Sequence, residues 1–237
     1  PSAEVRAEVA TKLAHDIESP VLTEQETDLA HEVVRLMAKD IEVSVRQALS
    51  QNLRKAMRLP HDVAVQLAND IESVALPILQ DSEVLTDEDL IDIIGKGSEQ
   101  KQEAIAGRAS VSENVSDVLI DKASEGAVTT LMGNDGAEIS DKGFDKAITR
   151  FEDSEGVKEA MVKREKLPVT VAERLALVVS DRLQEYLVSH HELSSTVAAD
   201  LVLQSRERTI VEMASGSSEE EMLRLVAQMH NNNRLTP

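Results

Sequence analysis

The residues able to do chemistry are few and scattered. The six histidines, His15, His31, His61, His190, His191 and His230, include no pair at the i, i+4 spacing that sets two imidazoles on one helix face, and there is no H-E-x-x-H. His190-His191-Glu192 could ligate a metal only with ligands from elsewhere in the chain; the same residues suit a helix-to-helix turn. Gly95-Lys96-Gly97-Ser98 has the composition of a phosphate loop but lacks the preceding strand and the G-x-x-x-x-G-K-[ST] spacing, so it reads as a solvated C-cap turn. Gly133-Asn134-Asp135-Gly136-Ala137-Glu138 fails as a calcium loop: with Gly136 as the invariant glycine, the first ligand position falls on Leu131 and the last on Lys142. There is no G-x-S-x-G and no Gly-rich dinucleotide loop. Carboxylates are everywhere, and Asp87, Glu88 and Asp89 fall in a helix first turn, where the macrodipole favours them without any function. No catalytic residue, metal site or cofactor is expected. What remains is a basic cluster, Arg46, Arg54, Lys55 and Arg58, with His61 nearby. These cations could hold a partner, a nucleotide-like anion or a phosphorylated peptide. Their alternative role is to offset the macrodipole at a helix C-terminus.

The overall charge bounds the partners. Acidic residues number 44 against 25 basic ones, a net charge of −19. Such a field repels phosphate backbones and anionic lipid, so nucleic acid is not expected as a partner. The acidity serves solubility or provides a face for a basic partner. The absence of cysteine excludes a disulfide scaffold, thiolate-ligated zinc, Fe–S clusters and a cysteine nucleophile, and is compatible with a reducing cytoplasm. No apolar run approaches the roughly 20 residues of a membrane span. The chain begins at Pro1 rather than Met, which leaves a removed leader open. Apolar residues make up 41% and aromatics 1%, so the core must be Leu, Ile, Val, Ala and Met. That suits close-packed helices rather than a β-sandwich, and no run of period-two alternation is present.

The elements that would position any site repeat along the chain. The stretch from Leu59 to Ile94 reads as helix, turn, helix, turn and the next helix. Leu59-Pro60, Leu85-Thr86, Val111-Ser112, Ile139-Ser140 and Leu167-Pro168 recur at spacings of 26, 26, 28 and 28 residues, with Leu22-Thr23 as an earlier copy. In each, an apolar staple precedes a cap or first-turn residue. Thr23 with Glu26 and Thr86 with Asp89 have capping-box spacing, and Pro60 and Pro168 suit a first turn. Between these starts lie shorter helices marked by Val45 and Leu49, Val74 and Ile78, Gln102 and Ile105, Val128 and Leu131, and Val157 and Met161. Each repeat therefore holds two helices, neither of which can bury its apolar stripe alone, so neighbouring pairs must stack.

Taken in order, a helix from Ser2 to Asp16 should turn Val5, Val9 and Leu13 inward, and one from Thr23 to Lys39 should do the same with Leu29, Val33, Leu36 and Met37. Arg6 follows Val5 as Arg46 follows Val45, 40 residues on, which resembles the second-helix pattern of HEAT repeats. Pro77 is expected near the start of its helix. From Thr170, in a capping box with Glu173, a longer helix runs to Ser189, and a second runs from about Ser195 to Met213. After the linker-like Ala214-Ser215-Gly216-Ser217, a last helix carries Met222, Leu225, Val226 and Met229. These three helices form a terminal bundle or cap, or else Ser215–Ser218 is a hinge.

Several segments together resemble the bacterial DUF2336 family, a domain of unknown function. They are Pro77-Ile78-Leu79; Ser82 with Val84-Leu85-Thr86-Asp87-Glu88-Asp89-Leu90-Ile91; Ala104-Ile105-Ala106 with Arg108; Asn134 with Ala137 and Ile139-Ser140; Val162 with Arg164 and Leu167-Pro168; and Arg234-Leu235-Thr236-Pro237. The resemblance covers nearly the whole chain and is most specific from Ser82 to Ile91. It implies HEAT-like helical repeats and further helices beyond the segment like Leu235-Thr236-Pro237, and it carries over no activity, cofactor or catalytic residue.

The expectation is an all-α chain: a HEAT-like α-solenoid of stacked two-helix repeats over residues 1–166, with a C-terminal bundle of longer helices over 167–237 continuing or capping it as one continuous domain. The expected function is a non-enzymatic, cytoplasmic protein-interaction scaffold or adaptor binding a protein or peptide. The alternatives are a sensor of small anionic ligands or phosphopeptides at the basic cluster, and a helical-repeat enzyme on nucleic acid, which the charge opposes.

Overall fold

In a computed structural model, the described residues are 2–17, 22–165, 167–168 and 170–179, with single helical positions at 196, 203, 223, 226 and 227. They are helical throughout, and their only β-type pairing is a bridge between Val111 and Ala137. The chain is all-α. It divides into two compact units, Pro1–Ile139 and Ser140–Pro237.

The first unit holds α1 (Ala3–Ile17), α2 (Glu24–Met37), α3 (Val43–Leu53), α4 (His61–Ala68), α5 (Glu72–Asp81), α6 (Asp87–Lys96), α7 (Glu99–Ala106), α8 (Glu113–Lys122) and α9 (Glu125–Met132). Local chemistry sets most of the starts. Thr23 and Thr86 each accept a hydrogen bond from the third helical N–H, while Glu26 and Asp89 reach back to the cap N–H, so both capping boxes form. Ser112 and Ser124 cap α8 and α9 through single hydroxyl bonds. Pro60 stands at the N-cap of α4, and its carbonyl accepts from Val63 and Ala64. Of the Gly95–Ser98 segment, Gly95 and Lys96 end α6, and the turn is confined to Gly97, the C-cap of α6, and Ser98, the N-cap of α7.

Packing runs in a regular order. Successive odd-numbered helices touch, α1 on α3, α3 on α5, α5 on α7 and α7 on α9, while α6 packs on α8 and each odd helix also packs on an adjoining even one. Val45, Leu49 and Leu53 of α3 are fully buried, as are Val74, Ile78 and Leu79 of α5 and Leu119 and Ile120 of α8. Polar side chains lace one turn to the next. Arg6 grips the Asp40 carboxylate at 2.6 and 2.9 Å, and Arg46 grips Asp70 at 2.6 and 3.0 Å. Gln66 donates to the Ala38 carbonyl, Lys101 to those of Ala68 and Asp70, and Asn134 to those of Ala106 and Arg108. These donors satisfy carbonyls that helix ends leave open.

Three expectations need correction. In α1 the buried residues are Ala10, Ala14 and Ile17, whereas Val5 and Val9 are exposed. In α2 the core takes Ala30, Val34 and Met37, and Leu29 and Leu36 face out. Pro77 lies inside α5, five residues past its first residue, rather than near its start. It removes the N–H that would bond to the Ser73 carbonyl, and Ser73 is exposed, so water can take that acceptor.

The second unit contains α10 (Asp141–Arg150) and α11 (Glu155–Val162), capped by Ser140 and Ser154, and a helix over 170–179. Its core includes Phe144, Ala147, Ile148, Val157, Met161, Val171 and Leu175. The Arg164 guanidinium lies 5.6 Å from the centroid of the Phe144 ring. Thr170 does not cap the 170–179 helix: it lies within it, its hydroxyl is buried without a hydrogen-bond partner, and the Pro168 carbonyl accepts from Val171 and Ala172 as Pro60 does for α4. Helix 170–189 beyond residue 179, the helices expected over 195–213 and after Ser217, and His190-His191-Glu192 lie outside the described residues, apart from the single positions given above.

Candidate functional site

The basic cluster does not converge. Arg46 lies one turn into α3, and Arg54 is its C-cap, eight residues and so about 12 Å further along at 1.5 Å per residue. Arg46 is committed to Asp70 and also donates to the carbonyl of Asp40. Burial alone would raise the Asp70 carboxyl, but the Arg46 hydrogen bond, the Ile71 N–H and the charges of Arg46 and Lys101 together hold it below its ordinary value. Arg54 pairs with Asp81 at 3.1 Å. The Arg58 carbonyl meets the His31 ring nitrogen at 3.1 Å. Lys55 is exposed and borders a cavity.

That cavity, about 210 Å³, lies in the first unit where three helices end. Lys55 and Met57 follow α3, Gln80, Asp81 and Glu83 surround the end of α5, and Arg108, Ala109 and Ser110 follow α7. Arg108 forms its rear support: its terminal nitrogens donate to the carbonyls of Leu79 and Ser82 at the end of α5. Burial pushes the Arg108 guanidinium below its ordinary value, opposed by the charges of Glu83, Asp81 and Asp87. A guanidinium so placed stays protonated and keeps three N–H groups beyond the two that bind these carbonyls. Gly136 backs the wall, since a Cβ there would stand 2.1 Å from the Ala109 carbonyl oxygen.

Arg108 was not among the candidate site residues, although a sequence signal pointed to it. Arg54, Asp81, Arg108 and Asp135 follow one another at intervals of 27 residues, the length of the repeat, with alternating sign. The signal is hidden in a chain with so many carboxylates.

A second surface is apolar. Val5 and Val9 of α1 are 48% and 44% exposed, and Leu29 and Leu36 of α2 are 65% and 72% exposed. The counterparts of Val5 and Val9 further on are covered: Val45 and Leu49, 40 residues later, are fully buried. Leu29 and Leu36 are seven residues apart and share one helix face.

The acidic first turns are occupied structurally. Asp89 accepts from Thr86 and pairs with His61 at 2.7 Å, Asp87 accepts from the Ser112 hydroxyl, and Asp62 pairs with Arg35. Among the described residues, no three His, Asp or Glu side chains gather as a metal would require, and no helix is long and apolar enough to cross a membrane.

The family model described as an uncharacterised protein conserved in bacteria (DUF2336) matches residues 74–237. The chain belongs to this family. The match takes in α5 to α11 and the Gln80–Glu83 and Arg108–Ser110 walls of the cavity, whereas α1 to α4, Lys55 and Met57 precede it. No curated protein and no solved structure matches the chain.

Proposed function

We propose that this chain is a non-enzymatic interaction scaffold, a HEAT-like solenoid of two-helix repeats that holds a helical segment of a partner protein in the bacterial cytoplasm. The recurrence of helix starts every 26 to 28 residues and the serial packing of α1, α3, α5, α7 and α9 support the solenoid. The observation that carries the binding role is the apolar outer face of α1 and α2. Val5, Val9, Leu29 and Leu36 stand in the open, whereas Val45 and Leu49, the counterparts of Val5 and Val9, are fully buried. An amphipathic partner helix would continue the same stacking. The acidic composition favours a partner with basic residues around its apolar stripe.

Anion or phosphopeptide sensing by Arg46, Arg54, Lys55 and Arg58 has less support, because Arg46 and Arg54 already sit on carboxylates. The test is capture of partners from bacterial lysate by the wild type and by a Leu29→Glu, Leu36→Glu variant. Loss of one stoichiometric protein from the variant, with its thermal unfolding unchanged, is the expected result. An identical set of captured proteins overturns the reading.

A further inference from the structure

The cavity between the ends of α3, α5 and α7 has no role in that reading. Its cations are unevenly used. Of the N–H groups on Arg108, two bind the carbonyls of Leu79 and Ser82, which leaves the Nε–H and one N–H on each terminal nitrogen. The Lys55 ammonium has no hydrogen-bond or ion-pair partner among the described residues, and Met57 beside it is 64% exposed. Arg54 is held by Asp81.

We propose that this cavity binds a single carboxylate carried on an apolar group, with the carboxylate on the free edge of Arg108 and the Lys55 ammonium, and the apolar group over Met57. Arg108 is half-buried and held by two carbonyls, so part of its desolvation and much of its orientation precede the arrival of a ligand. Lys55 and Arg108 share the lining with Asp81 and Glu83, and Arg54, from outside the lining, is spent on Asp81. A carboxylate brings a single negative charge to the two cations; a phosphate dianion would bring two past the same wall carboxylates. The volume of about 210 Å³ admits a group the size of an amino-acid residue. The carboxylate could belong to a free small acid or to the C-terminus of a peptide.

The experiment is an NMR titration of the full chain with N-acetyl-leucine, N-acetyl-leucinamide, a tripeptide ending in leucine with a free carboxylate, and inorganic phosphate. N-acetyl-leucine should shift the resonances of Lys55, Met57 and Arg108 with a dissociation constant on the order of 1 mM. The amide should bind at least ~10-fold more weakly. Lys55→Gln, at an exposed side chain, should weaken the acid by ~3-fold without moving the melting temperature. Tighter binding of the tripeptide than of N-acetyl-leucine assigns the site to peptide ends, and the reverse order assigns it to small acids. Equal binding of acid and amide, phosphate binding tighter than the carboxylates, or no shift at these residues overturns the proposal.

Discussion

Helices α1 and α3 carry the same motif and meet different fates. Val5, Arg6, Val9 and Leu13 correspond to Val45, Arg46, Leu49 and Leu53, 40 residues later. Both arginines grip an aspartate that follows the next helix, Asp40 after α2 and Asp70 after α4. The tie is therefore common to the two helices. Burial is not: Val45, Leu49 and Leu53 are fully enclosed, while Val5 and Val9 lie open. Among the described residues, α3 is flanked by α1 and α5, and α1 packs on α3 in that row. A sequence repeat thus fixes which residues are apolar, and the presence of a neighbour decides which are core.

The sharpest way to test this contrast is truncation at matched positions. Leu49→Ala should cost about 3 kcal/mol through lost contacts and a residual cavity, against less than about 1 kcal/mol for Val9→Ala. Urea unfolding followed by far-UV circular dichroism, suited to a chain with one Tyr and no Trp, measures both. Equal costs would show that Val9 is covered in solution.

The matched ion pairs come next. Arg46→Met leaves Asp70 unpaired where its side chain is 14% exposed, and should cost about 2 kcal/mol in the same assay, between the values for exposed and enclosed pairs. Arg6→Met should cost a similar amount, since it leaves Asp40 unpaired where its side chain is 11% exposed.

Acid probes the outer pair most strongly. The Arg6 hydrogen bond, then the Glu42 N–H, hold the Asp40 carboxyl down at about 2 from an ordinary 3.8. A lowered folded-state value means that Asp40 stabilises the fold fully above its ordinary range and loses that contribution as pH falls through about 2. The stability gap between wild type and Asp40→Asn should therefore be widest near neutrality and close in that acid window. A gap independent of pH would show that Asp40 is not ionically paired. The smallest expected effect is that of Val9→Glu, within about 0.5 kcal/mol of wild type, because an exposed position accepts a charge.

Much of the fold was legible because helix starts are local. Thr23 with Glu26, Thr86 with Asp89, and Ser112 and Ser140 announce their helices within four residues. The start of α5 was not, because Ile71 caps it without a side-chain bond, and Pro77 drew the expected start too far along. The faces of α1 and α2 were misjudged because Val5, Val9, Leu29 and Leu36 have the spacing of a core stripe; nothing in a sequence marks which stripe lacks a neighbour. The basic cluster was legible as composition only. Arg46 finds Asp70 across 24 residues, and Arg54 finds Asp81 across 27, so the carboxylates that occupy them are invisible from nearby sequence. Arg108 entered the reading through its family segment, and only the close of α5 against it revealed a cavity wall.

The alternating charges at Arg54, Asp81, Arg108 and Asp135 constrain how such a chain can gain or lose length. Excising one 27-residue period between Arg54 and Arg108 would set two cations in adjacent registers, whereas excising two would bring Arg54 to Asp135 and keep the alternation. Loss of 27 residues in pairs therefore keeps the alternation of sign, and loss of a single period does not.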